Sequence, residues 1–230
     1  MYQKITNIVS NALRSNASCV ATVEQALRVI CNERVNSFSM AQMLAIYLDK
    51  IVRVTSHTSE DELDRRFEKV MKIFNYIEDK DVFHEYHRRL LCKRLLESKT
   101  SEENERAFVS LLKDACGQTW TNTLEGMVND IKLNQDLSSK FKQSPQFSSL
   151  PFEFSANVLN TVYWPISKAD MIQGVIVPPQ MQQCVELFKT FYHRHAEAHV
   201  LTWCYGLGTI VMKCIIGNTR VDAIVSTLQV

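Results

Sequence analysis

Apolar residues recur at helical intervals through the first two thirds of the chain. Thr22 and Gln25 have the spacing of a capping box, and Val23, Ala26, Leu27, Ile30 and Cys31 follow on one face. Ser39 and Gln42 repeat the cap ahead of Met40, Met43, Leu44, Tyr47, Leu48 and Ile51. Ser59 and Glu62 repeat it again ahead of Leu63, Phe67, Val70, Met71, Phe74 and Ile77. Three caps in phase with three stripes agree on both the start and the buried face of each helix. Asp81 is placed to cap a segment carrying Phe83, Tyr86, Leu90, Leu91 and Leu95. Ser101 opens another with Phe108, Leu111, Leu112 and Ala115, and Gly117 stands where a left-handed C-terminal cap is expected. Thr121 opens a third with Leu124, Met127, Val128 and Ile131, and a short amphipathic piece runs from Asp136 to Phe141. Helices are therefore predicted from about Tyr2 to Phe141.

The pattern changes near residue 150. Gln143 to Pro151 is rich in Ser, Gln and Pro and reads as a loop. Of the first 150 residues 41 are charged, against 10 of the last 80, so the two parts are built differently. Phe152, Phe154, Ala156 and Val158 alternate with more polar positions, as do Leu201, Trp203 and Tyr205, then Ile210, Met212, Cys214 and Ile216. Gly206 with Gly208, and Gly217 with Asn218, mark turns, and Arg220 to Val225 is the next expected strand. Between them Pro178-Pro179 precedes a helix with Met181, Cys184, Val185, Phe188, Phe191 and Tyr192 on one face. The fold class that follows is mainly α, ending in a small α/β domain with an antiparallel meander. Ser226 and Thr227 look like a helix start with only three residues behind them, so that last domain is expected to be cut short.

Composition narrows the function classes. An apolar fraction of 46% and a charged fraction of 22% are those of an ordinary globular protein. A formal net charge of +1 gives no global pull toward nucleic acid or membrane, and neither is expected as a partner. Seven cysteines at wide spacings, with no CxxC pair, suit reduced thiols in the cytoplasm, the nucleus or both. The opening residues have no signal-peptide pattern, since Lys4 and Asn7 interrupt the apolar positions. No nucleophile elbow, P-loop or zinc-hydrolase motif is present, so no catalytic residue and no cofactor are expected. His193, His195 and His199 lie close in sequence, but no further ligand completes a metal site, and none is expected.

One run is specific. Lys72-Ile-Phe-Asn-Tyr-Ile-Glu-Asp-Lys-Asp-Val-Phe83 resembles the cullins, most of all the cullin of Skp-cullin-F-box ligases. The resemblance continues through Lys93-Arg94-Leu95-Leu96, Leu111 to Gly117 and Met127 to Ile131. It goes on through Phe154 to Leu159, Trp164-Pro165, Phe188 to His195, Leu201-Thr-Trp203, Gly206-Leu-Gly208 and Val225 to Gln229. It covers about two thirds of the chain, in order, and implies three parts. These are the last helical repeat of a cullin stalk over 1–60, a four-helix bundle over 61–150 and the α/β domain over 151–230.

The resemblance also implies a function: a non-catalytic scaffold of a RING-type ubiquitin ligase, serving ubiquitin-dependent protein degradation. In cullins a RING-box subunit lends a strand to the sheet of the α/β domain, which places that docking on Phe152, Phe154, Val158, Leu201, Trp203, Tyr205, Ile210 and Met212. The ubiquitin-conjugating enzyme would be an indirect partner. The winged-helix part and the lysine that receives a ubiquitin-like modifier are expected to be absent from this sequence. Trp203 is expected to be largely buried. Arg88, Arg89, Lys93 and Arg94 cluster on one predicted helix, either as a landing site for an acidic tail or as a solvated face balanced by Glu85 and Glu97. Two other readings stay open: a truncated regulatory cullin that sequesters the RING subunit, and an unrelated helical adaptor.

Overall fold

The structure is a computed structural model that describes residues 17–53, 59–167, 171, 174–196, 199–217 and 219–229. The helical start expected near Tyr2, the turn position Asn218 and the last residue, Val230, lie outside the described residues. The chain divides into two compact units, Met1–Glu125 and Gly126–Val230.

The first unit holds α1 (Ala17–Asn32), α2 (Met40–Arg53), α3 (Glu60–Phe74), α4 (Lys80–Leu96), α5 (Glu102–Cys116) and the start of α6 (Gln118–Lys142). Two of the expected caps are hydrogen bonded as the spacing requires, and a third adds the same bond. Ser39 N–H donates to Gln42 Oε1 at 3.0 Å, and Gln42 N–H donates to Ser39 Oγ at 3.3 Å, a complete reciprocal box. Ser59 Oγ accepts from Glu62 N–H at 3.4 Å, and Ser101 Oγ accepts from Asn104 N–H at 3.1 Å.

Elsewhere the expected starts move. Thr22 lies inside α1, where its hydroxyl donates to Ser18 C=O at 2.9 Å instead of capping. α4 begins behind Asp79, so Asp81 falls in its first turn, where its charge suits the helix N-terminus. Gly117 ends α5 at φ 87 and ψ 163, outside the left-handed helical region, and α6 starts at the next residue rather than at Thr121. α6 then runs unbroken for 25 residues and absorbs the short piece expected over 136–141.

The core of this unit is apolar surface from four helices. α2 packs on α3 and α4, and α3 on α5. Leu48, Val52, Phe67, Val70, Phe74, Phe83, Leu91, Phe108 and Leu112 are buried. The Phe67 and Phe108 rings, and those of Phe74 and Phe83, meet at 5.0 Å between centroids, tilted or edge-on as aromatic quadrupoles prefer.

The second unit contains the rest of α6, the single turn α7 (Pro145–Ser148), α8 (Pro179–His195), and the hairpin of β1 (Thr209–Ile216) with β2 (Thr219–Ser226). Its core is the aromatic cluster of Phe141, Phe188, Phe191 and Tyr192. Gly126 is a glycine for steric reasons: the Tyr163 ring occupies the space a Cβ would need. Asp130 Oδ2 accepts from the Trp164 indole and from Asn160 N–H, both at 2.8 Å, which fixes the chain returning along α6.

Among the described residues the only sheet is the two-stranded β1–β2 hairpin. Residues 152–158 and 201–204 are neither helix nor strand and belong to no ladder, and Tyr205 opens a 3-10 turn over Tyr205–Leu207. The strands expected there are corrected accordingly. The physical reason is that period-two alternation reports an extended chain with one covered face, and here the cover is the aromatic cluster rather than a neighbouring strand. Phe154, Ala156, Val158, Leu201 and Trp203 all pack on that cluster. The ladder partner of Val158 is replaced by a side chain: Asn134 Oδ1 accepts from its N–H at 2.7 Å, and Asn134 Nδ2 donates to its C=O at 2.9 Å. Trp203 is partly buried against that cluster, and among the described residues its indole N–H has no hydrogen-bond partner.

Candidate partner-docking surface

Among the described residues the hairpin is the only sheet of the second unit, and its two edges carry outward backbone groups. Its register pairs Val211 with Ile224, Lys213 with Asp222 and Ile215 with Arg220. Two residues join the strands, so the flanking pair Ile216 and Thr219 exchanges both ladder bonds and every second pair after it does the same. Two observations fix that phase. Thr227 N–H donates to Gly208 C=O at 2.9 Å, one step beyond the sheet. Ser226 N–H points the other way and donates to Gln229 Oε1 at 2.8 Å. The outward N–H groups of β1 are then those of Thr209, Val211, Lys213 and Ile215. β2 has its own outward set, with the last member already taken by Gln229.

This alters the roles of the expected docking residues. Ile210 and Met212 lie on β1, but their amides face β2 and their side chains are half-buried. Phe154, Val158, Leu201 and Trp203 are spent on the aromatic cluster, Phe152 is 43% exposed with no ladder, and Tyr205 stacks on Trp203 at 6.4 Å. The residues that sequence reasoning missed are the alternate ones. Val211, Ile215 and Ile224 are 61%, 72% and 75% exposed, on one face of the hairpin. Three large aliphatic side chains left in water on a two-stranded sheet form an apolar face of the kind that partners cover.

The basic cluster on α4 is not one surface. Arg94 is corrected from the expected landing site because it is fully buried. Its Nε and Nη2 donate to the two carboxylate oxygens of Glu105 at 2.7 and 3.0 Å, and its Nη1 donates to Asp49 at 2.8 Å. Burial alone would lower the guanidinium pKa, but the Glu105 charge and the hydrogen bonds to Glu105 and Asp49 outweigh it and hold the group firmly protonated. Asp49 also accepts from Arg53 at 2.8 Å, and Arg53 reaches Glu97 at 3.0 Å, so one ionic network ties α2, α4 and α5. The other three cations are compensated on the surface. Arg89 meets Glu85 at 2.7 Å, Arg88 meets it at 3.9 Å, and Lys93 stands 4.0 Å from Glu97.

His87 lies in the same core, stacked on Phe83 at 5.5 Å and edge-on to Phe108 at 5.7 Å. Among the described residues neither ring nitrogen has a hydrogen-bond partner. Burial, reinforced by the nearby Arg94 and His84 charges, pushes its pKa well below the ordinary value near 6.5, so the ring is neutral. The signature run Tyr76 to Phe83 is held from outside. The Asn32 carboxamide donates to Tyr76 C=O and accepts from Glu78 N–H, both at 2.9 Å, and Lys80 lies over the Phe74 ring at 5.3 Å.

Capped amphipathic helices sharing one ionic core, followed by a module of one long helix, extended segments and an open-edged hairpin, define an α-helical array that passes into an α+β module. Comparison with known proteins places that class. The family model for the cullin alpha solenoid domain matches residues 1–138, and that for the cullin alpha+beta domain matches residues 158–230. Cullin-1 of Oryza sativa subsp. japonica is 32% identical over 238 aligned residues, which take in 100% of this chain and 31% of that protein. Cullin-4A of Mus musculus is 31% identical, over 98% of this chain and 30% of that protein. Cullin-1 of Dictyostelium discoideum is 31% identical, over 93% of this chain and 29% of that protein. The chain belongs to the cullin family, and it spans about a third of the length of these relatives.

Proposed function

We propose that this chain acts as a non-catalytic scaffold in a cullin-RING ubiquitin ligase, and that its α+β module takes an extended strand from the RING-box subunit on the outer edge of β1. The observation that carries the reading is the free outward row of β1 amides beside the exposed Val211, Ile215 and Ile224. A strand added there satisfies the amides and covers the apolar face in one step. Gln229 already occupies the outward amide of Ser226, which favours β1 over β2 as the acceptor. Catalysis by such a scaffold is positional: it raises the effective concentration of the charged conjugating enzyme near the substrate. The setting is the cytoplasm, the nucleus or both, in keeping with seven free thiols.

The acidic-tail reading of α4 loses Arg94, and its remaining cations already face Glu85 and Glu97, so docking rests on the hairpin. Co-expression with a RING-box subunit, followed by size-exclusion chromatography, tests it. Lys213→Pro removes an outward donor without touching the β1–β2 ladder, and it is expected to abolish co-elution, whereas Lys213→Ala is expected to preserve it. Co-elution unchanged by the proline would overturn strand addition on β1. A ubiquitin-transfer assay on the complex then separates a productive scaffold from one that only sequesters its partner.

A further inference from the structure

We propose that a cleft in the second unit, between the last turn of α6, the turn ahead of α7 and the last turn of α8, binds an acidic peptide segment. The cleft has a volume of about 320 Å³. Lys140 comes from α6, Arg194 and His195 come from α8, Gln143 comes from the connecting turn and Gln146 from α7. Phe191, 2% exposed, forms part of the apolar floor. Among the described residues no Asp or Glu lines the cleft. Among the described residues neither Lys140 nor Arg194 forms an ion pair, although both are exposed. On other helix faces Arg89 meets Glu85, Arg106 meets Glu102 and Lys189 meets Glu186, while Lys132 and Lys142 form no ion pair among the described residues.

Basic residues in a helix's last turn also offset its dipole, which accounts for each of them singly. It does not account for two helix ends and two free carboxamides converging on one concavity. The ligand's class follows from what the walls can and cannot do. Nδ1 of His195 is 2.9 Å from Phe191 C=O, and a carbonyl only accepts, so Nδ1 carries the hydrogen and in the neutral ring Nε2 accepts, suited to a backbone N–H of a bound peptide. Two backbone donors here are already used: Ser144 N–H bonds Phe141 C=O at 3.0 Å, and Phe147 N–H bonds Ser144 C=O at 3.2 Å. Without a nest of free N–H groups the cleft is poorly built for a lone phosphate. With its aromatic floor buried it offers no stacking platform for nucleic-acid bases. A peptide carrying several carboxylates matches separate cations on separate elements, and the glutamine amides can pair with its backbone.

Fluorescence anisotropy with a labelled poly-glutamate peptide and the whole chain at low salt provides the test. Binding is expected, and it should weaken as salt rises. Lys140→Glu with Arg194→Glu is expected to weaken it about tenfold, while the same charge change at Lys132 and Lys142, outside the cleft, should alter it by less than about twofold. Three results would each overturn the proposal: no binding at low salt, an equal loss in both double variants, or a loss produced instead by Arg89→Glu with Lys93→Glu. Displacement by inorganic phosphate or by a single-stranded oligonucleotide as readily as by unlabelled peptide would also overturn it, in favour of a small-anion or nucleic-acid site. Co-elution with the RING-box subunit should be the same for both charge-reversed proteins, which keeps this test separate from that of strand addition.

Discussion

Helices α2 to α5 close over most of their apolar stripes, and even their buried arginine finds three carboxylate oxygens, whereas α1 leaves Val29 and Ile30 52% and 49% exposed. Beyond Gly126 the aromatic cluster closes around α8, but the hairpin leaves Val211, Ile215 and Ile224 more than half in water. The charged residues fall the opposite way, dense in the first part and sparse in the last 80 residues. Scarcity of charge therefore does not mean burial here. In the first unit charge is abundant because solvated helix faces need it, and one ionic cluster is drawn into the core. In the hairpin charge is scarce although the strands are exposed, with three aliphatic side chains left in water.

The largest expected effect breaks the closed side of this comparison. Arg94→Ala leaves Glu105 buried without its partner, and it should cost about 3–5 kcal/mol of stability. Denaturant melts should show the loss, and hydrogen exchange should place it in α2, α4 and α5. Arg94→Met with Glu105→Leu removes both charges and should recover most of it. A single variant as stable as the parent would mean that the network is not a core element.

Acid should act on the same unit. His87 is held neutral when folded and gains a proton when unfolded, so below pH about 6.5 the unfolded state binds more protons and stability falls as pH falls. The expected slope is about 1.4 kcal/mol per pH unit for this one group. His84, lowered by burial and by Arg88, adds to it in the same direction. Urea melts between pH 7 and pH 5 should show the slope, and His87→Leu should flatten most of it. An unchanged slope in that variant would move the cause elsewhere.

The smallest effect concerns the signature run. Asn32→Ala removes both bonds that hold Tyr76 and Glu78, at a cost of about 1 kcal/mol, and exchange of the Glu78 amide should rise. Equal protection of that amide in the variant would show that the loop holds itself.

Local chemistry was legible in the sequence and cross-chain chemistry was not. The Ser39–Gln42 box and the Ser59 and Ser101 caps depend on residues three apart, which a spacing rule sees directly. Arg94 read as one member of a basic face because its partners are 11 and 45 positions away. Asn32 carried no signal at all, since its partners are 44 and 46 positions distant. Alternation located the covered faces of 154–158 and 201–203, though not the exposed Phe152, and it could not say whether a strand or an aromatic cluster covers them. In the hairpin it marked Ile210 and Met212, the inward members, and so passed over the alternate residues whose amides are free.

Amide hydrogen exchange across β1, with and without a RING-box subunit, tests the central claim most directly. Slowed exchange at Val211, Lys213 and Ile215 is expected on adding the subunit, with little change at Ile210 and Met212, which already donate to β2. Protection confined to the helices of the first unit, or no change along β1 while the two proteins co-elute, would contradict strand addition at this edge.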